Sequence, residues 1–424
     1  MRRDELLKRI PVSLRYIFTA ITVALLLSCA PMGSASVGPI LSRGSSTLGV
    51  AASEPNRLLS LMPEARNMAA PAWVSEGLRV YYTAGAATID NPFRMSQESL
   101  PPLPGTVALS PASPALVRTD VIALASRFAA TSSTLFMGDT VIPWADASST
   151  GYPGICDFWV NPAAVRELEK KPPKGVRVTT TTFRSTEKTH SATRVDLSSA
   201  DPNEHFTWLF DSATGLILYQ AEWRRLNDAR YAYVAVAEYQ SMHYVSVPWS
   251  GGVAPAWVKP GAKMTYQGTI RTWTPATGPN IPIPAVLNVE IISAGRNWSE
   301  AQVQRVLGDK PEDSFMRVHS GTGTLAGGFW VPRASLLKLK AGDQLDRFDP
   351  VTGSTVEVGH VGPAAGGKTV VAIFEWGTKY KRVWIYRIED GMLLYWLDEK
   401  VVDPVTGMVQ QGEWQITEDA ARGQ

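Results

Sequence analysis

Gly362-Pro363-Ala364-Ala365-Gly366-Gly367-Lys368-Thr369 satisfies the phosphate-loop formula G-x-x-x-x-G-K-[ST] in full. The chemistry that formula serves is phosphate binding, in which the loop opens a helix whose first N–H groups and dipole hold the anion. The apolar run Leu393 to Leu397, followed by Asp398-Glu399, imitates the acidic strand that would carry magnesium. Here, however, the loop runs into Thr369-Val370-Val371-Ala372-Ile373-Phe374, a β-branched stretch that reads as a strand. A hairpin connection is therefore expected, and no nucleotide. Gly321-Thr322-Gly323-Thr324-Leu325-Ala326 likewise matches the dinucleotide fingerprint G-x-G-x-x-A, yet Gly327-Gly328-Phe329-Trp330-Val331 follows in place of a helix start. It reads as a turn.

Other reactive side chains show no convergent pattern in sequence. His190, His205, His243, His319 and His360 are scattered, with no pair at metal-ligand spacing, and there is no G-x-S-x-G elbow. Cys156, in Gly-Ile-Cys-Asp-Phe-Trp, reads as a small buried hydrophobe. No catalytic, cofactor-binding or metal residue is assigned, and the reading leans away from an enzyme. The alternative is a hydrolase whose site is assembled from distant residues such as His319, Glu375, Asp398 or Glu399. Of the fourteen Trp, Trp73/Trp257, Trp159/Trp330 and Trp208/Trp384 recur in pairs, which points to core packing. Trp223, Trp273, Trp376 and Trp396 have no such partner and are the candidates for lining a ligand groove.

The elements that position these residues come in two copies. Ala70-Pro71-Ala72-Trp73-Val74 recurs as Ala254-Pro255-Ala256-Trp257-Val258, and Phe158-Trp159-Val160 as Phe329-Trp330-Val331. Trp208, Gly215, Leu218 and Tyr219 match Trp384, Gly391, Leu394 and Tyr395 at identical internal spacing. The three anchors are offset by 184, 171 and 176 residues, so insertions fall between blocks, where loops tolerate them. Period-two alternation from Ala262 to Arg271 predicts a strand, and the turn Asp211-Ser212-Ala213-Thr214-Gly215 predicts a hairpin. Asn161-Pro162 and Pro332 are expected to start short helices; further helices are expected over Leu116 to Phe128 and after Ser299.

The N-terminus carries an address. Arg2, Arg3, Lys8, Arg9 and Arg15 precede the apolar run Ile17 to Leu27, the order of a secretory signal, and the run is too short to span a bilayer. Leu26-Leu27-Ser28-Cys29-Ala30 resembles the lipobox of bacterial lipoproteins, which implies acylation of Cys29 and a membrane held through that lipid. Cleavage after Ala35 is the alternative ending, giving a secreted or periplasmic protein. Either ending leaves Cys156 without a disulfide partner. Beyond residue 28 the chain holds 36 basic and 37 acidic residues, a balance that offers nucleic acid no footprint. With 45% hydrophobic and 19% charged residues the remainder reads as globular.

The expected fold is α+β and β-dominated, two tandem repeats of a curved antiparallel sheet with short helices. Residues 1–35 form the signal, 36–69 a flexible linker, 70–250 the first repeat and 251–418 the second. The hairpin from Trp208 to Tyr219, W-h-h-D-x-x-T-G-h-h-h-Y, resembles strands of the periplasmic lipoprotein-carrier and sigma-regulator sensor family, over about a dozen residues per copy. That resemblance implies an open β-half-barrel whose concave sheet holds an acyl chain or a peptide. The functional expectation is a non-enzymatic envelope protein, periplasmic or on the outer membrane, that binds a hydrophobic ligand or a partner protein. A purely structural lipoprotein is the remaining alternative.

Overall fold

The computed structural model describes residues 57–90, 115–137, 140–141, 147–198, 204–225, 231–274, 278–279, 282–308, 310–325, 328–364, 367–378, 380–402 and 409–418. Cys29, with the expected signal and lipobox, lies outside them. The first unit contains strands β1 (Leu78–Asp90), β2 (Ala115–Ala125), β3 (Phe128–Met137), β4 (Thr140–Val141), β5 (Ala147–Gly151), β6 (Ile155–Cys156) and β7 (Trp159–Val160). Helix α1 (Pro162–Lys170) follows, then β8 (Val176–Arg184), β9 (Thr189–Ser198), β10 (Glu204–Asp211), β11 (Ile217–Arg225) and β12 (Tyr231–Tyr244). The second unit has β13 (Lys263–Thr274), β14 (Gly278–Pro279), β15 (Ile283–Ala294), β16 (Trp298–Leu307) and β17 (Lys310–Gly321). After α2 (Arg333–Leu336) come β18 (Gln344–Asp346), β19 (Thr355–Pro363), β20 (Thr369–Trp376), β21 (Lys381–Arg387), β22 (Leu393–Val402) and β23 (Val409–Glu418).

Each unit builds one large, curved antiparallel sheet, so the β-dominated tandem architecture is the one expected. The orders are β4-β3-β2-β1-β12-β11-β10-β9-β8 and β17-β16-β15-β13-β23-β22-β21-β20-β19-β18. In both, the first long strand pairs with the last, β1 with β12 and β13 with β23.

The repeated words act as one hydrogen-bonded scaffold, used twice. Pro71 and Pro255 each open a turn closed by Val74 or Val258, which aims the Trp73 and Trp257 indoles at the hairpin-turn carbonyls of Thr214 and Asp390. The Tyr82 and Tyr266 hydroxyls donate to Ile217 and Leu393 of the same hairpins. Val160 and Val331 donate to the carbonyls of Gly215 and Gly391. Those glycines sit at φ +74° and +73°, and a Cβ on either would overlap the carbonyl oxygen of Val160 or Val331. Gly215→Ala or Gly391→Ala should therefore cost about 1–3 kcal/mol by overpacking alone, read as a fall in the urea midpoint. Gly251, at φ +72° with nothing within 4 Å of a built Cβ, is the control. Its Ala variant should lose only the smaller backbone contribution, and an equal loss at all three would assign the effect to φ and not to the scaffold.

Three sequence expectations need correction. The stretch from Leu116 to Phe128 is not a helix but β2 and the start of β3, because both of its faces are buried: Val117 and Val121 toward the first core, Arg118 and Asp120 toward the second unit. After Ser299 the chain is strand β16, where buried Ser299, Ala301, Val303 and Arg305 alternate with less buried neighbours. The end of the expected linker is packed. A helical turn over 57–61 and the 3-10 helix Pro63–Asn67 place Leu58, Met62 and Ala65 in a core with Val165, Leu168 and Trp208. The expected starts of α1 and α2 hold, the first with the Asn161 side chain accepting from Ala163 N–H at 2.9 Å.

The two nucleotide look-alikes are turns. After Pro363 the chain reverses, Ala364 N–H donating to Lys368 O at 2.8 Å, and Thr369 opens strand β20 in place of a helix. Gly321 and Gly323 lie where the units meet: Gly323 N–H donates to Ile122 O at 2.8 Å, and a Cβ on either glycine would overlap Ile122 or Val121.

Candidate functional site

Directly opposed residues in an antiparallel ladder share a face. Register therefore puts Ile373, Trp384, Trp396, Trp414 and Gly268 in one row across five strands of the second sheet. Gly268 leaves room for the Trp414 ring, which a Cβ would crowd. Two residues along each strand, Glu375, Arg382, Asp398 and Gly412 form the next row on the same face. Arg382 Nε donates to Asp398 Oδ1 at 2.9 Å, its Nη1 lies 3.9 Å from Glu375 Oε2, and its guanidinium stands 5.1 Å from the Trp384 ring. The equivalent ladder positions in the first unit are Leu197, Phe206 and Glu222, so the fold itself does not call for this row.

The first unit completes the cluster. Leu78, Val80 and Tyr82 enter the first core, so the intervening Arg79 and Tyr81 turn to the other face of β1, opposite Asp120 and Arg118 of β2. Arg118 Nη1 reaches Glu375 Oε1 at 2.7 Å, and the Tyr380 hydroxyl donates to the same oxygen at 3.0 Å. Arg79 pairs with Asp120 at 2.6 Å, Asp349 at 3.0 Å and Asp346 at 3.2 Å, while the Tyr81 hydroxyl donates to Asp349. Asp349 belongs to the Asp-Pro-Val-Thr-Gly turn and also accepts from the N–H groups of Val351 and Thr352. Around the cluster, Glu76 accepts from Asn297 and Thr322, Thr324 donates to Asp120 at 3.1 Å, and Phe128 stacks on Trp298 at 4.0 Å.

Burial disfavours each of these charges, and the partners decide the balance. For Glu375 the burial penalty is overcome by Arg118 and Arg382, which bring its carboxyl down to about 2. Burial is likewise outweighed at Arg118 by Glu375 and Asp120, so that guanidinium holds its proton more firmly than usual. Asp349 is held low against burial by Arg79 and the Tyr81 hydroxyl, whereas at Asp346 burial prevails over Arg79 and the carboxyl sits high. The arrangement is a desolvated ionic lock between the two units. Held down by two guanidiniums, the Glu375 carboxylate is a weak base.

The three expected ligand-lining tryptophans whose side chains are described lie apart. Trp223 is fully buried in the first core; Trp376 is 40% exposed at the end of β20, donating to Glu357 at 3.0 Å; Trp396 is half-buried in the indole row. Trp273 lies on β13, and its side chain is outside the described residues. Among the hydrolase candidates, Glu375 and Asp398 meet on Arg382, Glu399 faces Lys381, and His319 sits on β17 with its ring 6.4 Å from Phe128. Burial, aided by Arg317, brings His319 down to about 4. Cys156 is buried and its thiol is pushed up by desolvation, as befits a packing residue. Among the described residues no group of three His, Cys, Asp or Glu side chains is placed to hold a metal, and no helix is long and apolar enough to cross a membrane.

Sequence reasoning missed one constellation altogether. Ser185, His190 and Asp211, from the β8–β9 turn, β9 and the end of β10, are joined in a hydrogen-bonded chain. Only strand register brings them together, and nothing in their spacing announces it.

No family model and no curated protein matches the chain. Among solved structures, a protein of unknown function from the DUF3598 family of Nostoc punctiforme aligns over 80% of this chain and 96% of that one, at 10% identity and a TM-score of 0.19. A superposition that loose carries no argument about fold or function.

Proposed function

We propose that this chain is an exported envelope protein, tethered to a membrane through an acylated Cys29, that binds an apolar ligand or a partner protein on a curved sheet. The observation that carries the reading is the row Trp384, Trp396 and Trp414 on adjacent strands, three indoles on one face of the second sheet. Trp396, between the two on β22, is half-buried where Trp384 and Trp414 are buried, so the row is open to solvent at its middle indole. The signal-like N-terminus with its lipobox supports export and anchoring.

The test has two arms. Metabolic labelling with an alkyne fatty acid should mark the native chain and leave Cys29→Ala unmarked; equal labelling of both would remove the anchor. Titration with oleate should quench tryptophan fluorescence in the native chain and lose most of its amplitude in Trp396→Ala. Native mass spectrometry free of co-purifying lipid, together with a flat oleate titration, would overturn the ligand reading.

A further inference from the structure

Ser185, His190 and Asp211 stand in the atom order of a serine-hydrolase relay. Ser185 Oγ lies 3.2 Å from His190 Nε2, and His190 Nδ1 lies 2.7 Å from Asp211 Oδ2. A carboxylate on Nδ1 fixes the N–H there and leaves the Nε2 lone pair facing the hydroxyl, the tautomer a general base requires. The other oxygen of Asp211 accepts from the N–H groups of Ala213 and Thr214 at 3.0 and 2.8 Å, so the carboxylate is held in place by its own turn. The imidazole is buried, flanked by Phe183 at 6.1 Å and by Tyr239 edge-on at 6.0 Å. Ser185 is half-buried, and Arg184, Thr186, Glu187 and Lys188 around it are exposed, so a reagent reaches the hydroxyl from solvent.

The fold does not need this trio. The ladder bonds Ser212 N to Ser191 O and Asp211 N to Leu216 O recur in the second unit as Ile388 N to Thr369 O and Arg387 N to Met392 O. The counterparts of His190 and Asp211 are therefore Lys368 and Arg387, and the second unit closes the same hairpins with two basic residues.

We propose that Ser185 is the nucleophile of an esterolytic site, with His190 as its general base and Asp211 as the positioning residue. This goes beyond the binding reading, which neither requires nor predicts it. The Oγ–H proton passes to His190 Nε2 as Oγ bonds to the ester carbonyl carbon, and the carbonyl π pair moves onto oxygen. Collapse of that adduct breaks the bond to the alcohol, which leaves with the proton from His190. Water then attacks the acyl-serine by the same route, so that ester and water give acid and alcohol. In the resting site Oγ accepts from the N–H groups of Glu187 and Lys188, each at 3.2 Å, and lies 3.1 Å from the Lys188 carbonyl, which competes with His190 for the proton. Once Oγ is esterified its proton is gone, and those two amides are the backbone donors that would have to turn from Oγ to the oxyanion on the adjoining carbon.

The experiment is covalent labelling of the full chain by a biotinylated fluorophosphonate, with peptide mapping, alongside hydrolysis of p-nitrophenyl butyrate. Labelling is expected at Ser185, and both readouts should fall by about 10²-fold or more in Ser185→Ala and in His190→Ala. Asp211→Asn should lower kcat at nearly constant KM. Ser185→Ala also removes a turn acceptor, so Ser185→Cys serves as the second probe, its alkylation by iodoacetamide expected to be faster than in the Ser185→Cys/His190→Ala double variant. A folded native chain that takes no label, label at another residue, or cysteine alkylation indifferent to His190 would each overturn the proposal and leave Ser185 as a turn cap.

Discussion

Arg118→Ala should be among the most damaging single substitutions in the chain, lowering stability by about 3–5 kcal/mol. Arg118 and Glu375 are both almost fully shielded from water, at 2% and 1% exposure, and lie 2.7 Å apart. Removing the guanidinium strands Glu375 in a medium that cannot solvate it, with Arg382 at 3.9 Å as a poorer partner. The cost comes from that abandoned charge more than from the lost attraction. A double variant, Arg118→Met with Glu375→Met, removes both charges while retaining volume, and most of the loss should be recovered. Urea unfolding followed by tryptophan fluorescence measures both. A single variant losing less than about 1 kcal/mol, the value typical of an exposed pair, would mean that water reaches the lock.

Acid should dissolve the same lock in a defined window. Glu375 is brought from its ordinary 4.5 down to about 2, a difference worth on the order of 3 kcal/mol. Because the folded value is the lower one, this contribution is complete above pH 4.5 and is lost as pH falls toward 2. Asp349 is depressed in the same sense and adds to the slope. Asp346 works against it, since its raised carboxyl takes up a proton earlier and relieves repulsion from Asp349. Stability measured between pH 6 and pH 2 should drop steeply below about pH 4.5, and Glu375→Gln should be less stable at pH 6 yet show a shallower acid slope. Parallel curves for the two proteins would refute the assignment.

Much of the scaffold was legible because the chain writes it twice. Pro-Ala-Trp-Val, Phe-Trp-Val and the Trp-to-Tyr hairpin were visible as words, and each proves to be a donor or acceptor in the same set of bonds. The β2–β3 hairpin was not legible. Ser126-Arg127 offers no glycine to mark the turn, and Leu116, Val117, Val121, Ile122, Leu124 and Phe128 can be arranged on a helical face as readily as on a strand. Strand β16 hid behind polar residues, since Ser299 and Arg305 are buried positions that a hydrophobicity pattern scores as exposed. Neither the lock nor the Ser–His–Asp chain could be read in advance. Arg118 meets Glu375 across 257 residues, and that pairing follows from how two sheets dock, which no local signal encodes.

Pairing the first long strand of each sheet with its last has a consequence for how the chain is made. Leu78 is laddered to Tyr244 and Thr265 to Glu418, so neither sheet can zip shut until some 150 or more intervening residues have been synthesised. Such long-range closure favours slow folding, in the regime of non-local β proteins. A nascent or truncated chain lacking β23 would leave β13 and β22 with bare backbone edges, the condition under which strands find partners on neighbouring molecules. Premature termination should therefore yield aggregates rather than a shortened soluble protein.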